Sequence, residues 1–132
     1  MSRPLPDARI LEARDFLRDY QIGLRFLQLR HFERRRNPEE QFPTGDEFLR
    51  GNEAFWRARM QAVCSLIGAM KNGREKLILY YHYVQGESLE RASDRIGFSR
   101  RTGYRLHQKG LLIVSFLLEN RKKREEFDIP SE

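Results

Sequence analysis

One cysteine, three histidines and no long apolar run: these scarcities set the first limits on this 132-residue chain. The lone Cys64 cannot close an internal disulfide, which suits a reducing compartment. The longest apolar stretch, Leu111 to Leu118, is broken by Ser115 and falls far short of the ~20 residues a membrane-spanning helix requires. The start, Met1-Ser2-Arg3-Pro4, carries a charge with no apolar block behind it, so no secretory signal is read there and a cytoplasmic location is expected. His31, His82 and His107 fall on separate expected helices, and no pair has the spacing of metal ligands. There is no glycine-rich phosphate loop, no nucleophile elbow and no pair of carboxylates set apart from the general acidity. No catalytic, cofactor-binding or metal-ligating residue is assigned, and an enzyme is not expected.

What the chain does have is charge and aromatic rings. Hydrophobic residues make up 39% and charged residues 33%, and nine Phe, five Tyr and Trp56 supply enough bulk for one core at one domain's length. The net charge of +6 is unevenly spread. Residues 1–44 carry nine basic and seven acidic side chains and residues 45–98 eight and seven, but residues 99–124 carry eight basic against one acidic. The positive field is concentrated late in the chain, where a polyanion would be rewarded by counterion release.

Helical periodicity organises everything upstream. Asp7 caps a helix expected to run to Arg36, before Asn37-Pro38 stops it. Ile10, Ala13, Leu17, Tyr20, Leu24 and Leu27 form one apolar stripe, while Leu11, Phe26, Leu29 and Phe32 form a second surface that hints at dimerisation. Straight, such a helix would be ~45 Å long, so it projects or bends at Gly23. Arg34, Arg35 and Arg36 complement its dipole. After a proline-containing connection at 37–45, a second helix is expected from a cap at Asp46 to Lys71, with Phe48, Phe55, Ala62, Leu66 and Ala69 as its seam and Trp56, Met60, Val63, Ile67 and Met70 beside it. Asn72-Gly73 should end it in the left-handed conformation. A third helix, Arg74 to Val84, has Leu77, Ile78, Tyr80, Tyr81 and Val84 nearly all round, as for an enclosed element, and closes at Gly86. The expected divisions are 1–45, a long helix and linker; 46–73, a central helix; 74–120, a reading unit; and 121–132, a charged tail.

That reading unit centres on Gln85 to Gln108. Ser88 can cap a short helix from Leu89, in which Ala92 and Ile96 share a face; Gly97 supplies a left-handed exit and Phe98 an apolar plug. Ser99 is a second cap, and the helix it opens carries Arg100, Arg101, Tyr104, Arg105 and Gln108 on adjoining faces with Leu106 pointing away. Helix, glycine turn and capped basic helix is the helix-turn-helix layout. Base contacts are assigned to Arg100, Arg101, Tyr104 and Arg105, because the arginine fork matches the guanine N7 and O6 acceptors. Phosphate contacts are assigned to Ser99, Thr102, Gln108 and Lys109, with Gln108 also able to pair with adenine. Apolar residues through Leu117 carry the helix onward to the basic run Arg121 to Arg124.

Residues Arg74 to Leu118, with the aromatic "LYYHYVQGES", the turn "IGFS" and "SRRTGYRLHQKGL", resemble the DNA-binding half of sigma-70 region 4 and, more closely, phage-encoded transcriptional regulators of the ArpU and RinA type. The resemblance implies an all-α helical bundle with a C-terminal sigma region 4-like helix-turn-helix. It also implies sequence-specific binding of double-stranded DNA in transcription control of phage or prophage late genes. The partners expected are duplex DNA, RNA polymerase and a second copy of the chain, with no membrane. In this pattern Ser93 is the small residue at the helix approach, and Gly103 departs from the usual core aliphatic, at ~1 kcal/mol of helix propensity and with a hole beside it unless Tyr104 or another ring covers it. Two rival readings are a small terminase subunit, which would form a ring, and a helix-turn-helix that serves only to bind protein.

Overall fold

The computed structural model describes residues 7–36 and 43–127, and for residues 34–36, 43–51 and 125–127 the backbone alone. Pro4, Pro6, most of the connection at 37–42 and the end at 128–132 lie outside the described residues, as do the side chains of Arg34 to Arg36, Asp46 and Phe48. Among the described residues the fold is all-α: α1 (Ala8–Arg36), α2 (Pro43–Ala69), α3 (Arg74–Leu79, continued by a π-helical turn over Tyr80–Val84), α4 (Leu89–Arg95) and α5 (Arg100–Phe127). No described helix is long and apolar enough to cross a membrane.

The long α1 starts as expected. Asp7 Oδ1 accepts the Arg9 backbone N–H at 2.9 Å, satisfying one of the free donors of the first turn. Its first stripe turns inward, with Ala13 and Leu17 fully buried, while Leu11, Leu29 and Phe32 of the second surface remain exposed. Gly23 does not interrupt the helix. It lets α1 and α2 pack closely at that point, since a Cβ there would lie 2.8 Å from Met60 Cγ.

The second helix differs from expectation at both ends and in its inward face. It begins at Pro43 rather than after Asp46, a proline at the first helical position losing no hydrogen bond. It ends at Ala69 without a left-handed glycine, because Gly73 is extended (φ −176°) and opens α3. The ammonium of Lys76, one turn into α3, bonds the Gly68 and Met70 carbonyls at 3.2 and 3.3 Å and so closes the helix from outside. Phe55 and Ala69 face solvent, and the buried stripe is Val63, Leu66, Ile67 and Met70.

All five helices feed one core. Ile78, Leu79 and Tyr83 from α3 and its π turn, Ala92 from α4, and Leu106, Leu111 and Val114 from α5 join the buried residues of α1 and α2. Each fully buried aliphatic contributes about 1.5–3 kcal/mol over its exposed state. The third helix is enclosed on one side only, since Leu77 and Tyr80 are exposed. Its wide last turn is closed by Gln85 N–H on the Tyr80 carbonyl at 3.0 Å, a five-residue step, and by Gly86 at φ 74°. Gln21 of α1 donates to the carbonyls of Tyr83 and Val84 at 3.1 and 2.9 Å, satisfying two acceptors that the end of the helix leaves without an intrahelical partner. The final helix runs unbroken through residue 127, so the basic run Arg121 to Arg124 is helical.

Candidate nucleic-acid interface

The corner between α4 and α5 is built from backbone hydrogen bonds. Ser88 Oγ accepts the Arg91 N–H at 3.2 Å and starts α4. At its other end the Phe98 N–H reaches the Ser93 carbonyl at 3.0 Å and the Gly97 N–H the Asp94 carbonyl at 3.1 Å, the paired bonds of a Schellman motif with Gly97 at φ 79°. Phe98 sits half-buried with the Arg74 guanidinium 5.1 Å above its ring. Ser99 then caps α5: its Oγ accepts the Thr102 N–H at 3.2 Å and donates to Thr102 Oγ1 at 3.0 Å.

The crossing of the two helices is closer than the sequence suggests. A Cβ on Gly103 would lie 1.7 Å from Ser93 Oγ and 2.7 Å from Ser93 Cβ. No hole remains beside Gly103, because the serine fills it and turns its hydroxyl back to donate to the Leu89 carbonyl at 2.6 Å. Ser93 and Gly103 together fill the crossing.

With Gly103, Leu106, His107 and Gly110 buried, helical geometry sends the intervening residues outward. Ser99, Arg100, Arg101, Tyr104, Arg105, Gln108 and Lys109 are exposed, and Thr102 is half-buried in the capping turn. All eight assigned residues therefore lie on the first three turns of α5 or at its cap. Arg101, Arg105 and Lys109 form no ion pair among the described residues, so their charges are available to an external anion. Tyr104 is held. Its hydroxyl donates to Glu90 Oε1 of α4 at 2.5 Å, which lowers the carboxyl pKa and raises that of the phenol, with the Arg100 charge favouring the carboxylate further. Glu90 lies fourteen residues away in sequence, with no local pattern to announce the pair. Exposed Arg91 adds a cation from α4, whereas Arg95 is bound to Glu87 at 2.6 Å. The later basic run is partly occupied, with Lys122 Nζ 2.5 Å from Glu12 Oε1 on α1.

Behind this surface stands a polar group that the sequence left scattered. Tyr83 and His107 are buried, their hydroxyl and Nε2 hydrogen-bonded at 2.7 Å, and the His82 ring lies 5.6 Å from that of His107. Burial pushes His107 down to about 4, with the charges near it on His82, Arg14 and Arg18 acting in the same sense. Burial also raises Tyr83 to about 12. His82 Nδ1 lies 2.6 Å from the Glu87 carbonyl, a packed, hydrogen-bonded role. No group of three potential metal ligands occurs among the described residues. Comparisons with protein-family models, with curated proteins and with solved structures give no match.

Proposed function

We propose that this chain is a sequence-specific double-stranded-DNA-binding regulator of transcription, of the ArpU and RinA type, acting on phage or prophage late genes. The observation that carries the reading is the capped start of α5, where Arg101, Arg105 and Lys109, without an ion pair among the described residues, follow a corner closed by backbone hydrogen bonds. A helix end of this kind offers free N–H groups to phosphate while its first turns enter the major groove. Arg100, Arg101 and Arg105 then read base edges with Tyr104. Ser99, Thr102, Gln108 and Lys109 hold the backbone.

A titration with duplex DNA from the neighbouring genomic region tests this. Replacing Arg100 and Arg101 by alanine should remove the preference for the true site over scrambled sequence, at about 1–3 kcal/mol for each good base contact. A double variant that discriminates as well as the parent sinks the groove assignment. The exposed Leu112, Ile113 and Phe116, directly beyond the cationic turns, favour a second reading in which the same helix docks on protein such as RNA polymerase. Tight binding to polymerase with no shift of duplex DNA would select it.

A further inference from the structure

We infer that a second copy of this chain docks on the outer face of α1, with the two α1 helices antiparallel and a two-fold axis crossing them near Tyr20. The face is apolar without being covered: Leu11 is 36% exposed, Ile22 48%, and Leu29 and Phe32 57% each. Between these residues stand Asp15, Arg18 and Arg25, also exposed and without an ion pair among the described residues. The seven positions step by four and three in strict alternation, the 3.5-residue repeat of a helix that packs along a partner helix. This stripe lies opposite the one that Ala13 and Leu17 bury in the core, so packing within the chain does not account for it.

The order of residues along the stripe selects the partner and its direction. In an antiparallel pair about position 20, each residue faces the one whose number completes the sum of forty. Leu11 then meets Leu29, Asp15 meets Arg25, Arg18 lays its stem over Ile22, and Ala8 leaves room for Phe32. Every layer is apolar, oppositely charged or an arginine stem on an aliphatic. A parallel pair in register would set Asp15, Arg18 and Arg25 each against its own copy, three layers of like charge. Self-complementarity of this kind fits a second copy of the chain, because a C2 interface needs residue i to face j and j to face i.

The test is sedimentation equilibrium of the full chain without DNA, so that its outcome is independent of the groove reading. The wild type should sediment at high micromolar concentration with twice its 15.8 kDa mass. Asp15→Arg and Arg25→Asp should each weaken association about tenfold or more by opposing like charges. The double variant Asp15→Arg/Arg25→Asp should regain it. Circular dichroism of each exposed-site variant, expected to match the wild type, separates loss of pairing from loss of fold. A wild type that stays a single chain or grows beyond two copies overturns the inference, as does a single swap that leaves the dimer intact or a double swap that fails to restore it.

Discussion

Ser93 and Gly103 carry little mass, yet they set how closely α5 approaches α4. Gly103→Ala would gain about 1 kcal/mol of helix propensity, but the new carbon would meet Ser93 Cβ at 2.7 Å, a contact that rotating the hydroxyl does not relieve. Overpacking of this kind costs about 1–3 kcal/mol. The variant is therefore expected to unfold at a lower temperature than the parent, with Ser93→Gly in the same chain recovering much of the loss; thermal melts of the four proteins check this cycle. The unusual glycine was visible in the sequence. Ser93 was also read there as the small residue at the helix approach, but that it fills the space beside Gly103 was not legible, because the two lie ten residues apart in separate helices.

Between elements, the Tyr83–His107 bond joins the π turn of α3 to α5 inside the core. Because His107 is pushed down to about 4 in the fold, the unfolded chain takes up a proton below about pH 6.5 that the folded chain refuses. Its stabilising share is complete above that pH and falls as pH drops from about 6.5 to about 4, by at most about 1.4 kcal/mol per pH unit. Thermal midpoints followed from neutral pH to about 4.5 should show this decline, and His107→Gln, which can still bond Tyr83, should flatten it. Element existence was legible throughout, because apolar spacing and the caps Asp7, Ser88 and Ser99 are local signals. The ends and inward face of α2 were not. Lys76 closes that helix from the next one, and two adjacent apolar stripes left the choice of buried face to neighbours that only the fold supplies.

For the molecule as a whole, positive charge and rigid geometry coincide at one end of α5. If duplex DNA binds there, log affinity should fall linearly with log salt, at a slope of about −0.9 for each phosphate neutralised. Lys109→Ala should weaken specific and scrambled duplexes alike and lower the slope's magnitude by about one. Fluorescence anisotropy across a salt series measures both, and an unchanged slope would remove Lys109 from the backbone contacts. The sequence disclosed this exposed cationic turn through local cues, whereas the Glu90 restraint on Tyr104 required the fold. One further contact reaches across the molecule. Gln21 belongs to α1 and grips the carbonyls of Tyr83 and Val84 just before α4, so a pair of chains joined through α1 would hold its two α4–α5 corners like the fixed points of a calliper. Such an instrument measures one span. Its sites on the genome would be inverted repeats of constant separation, and a spacer altered by half a helical repeat would present the second head with the wrong side of the double helix.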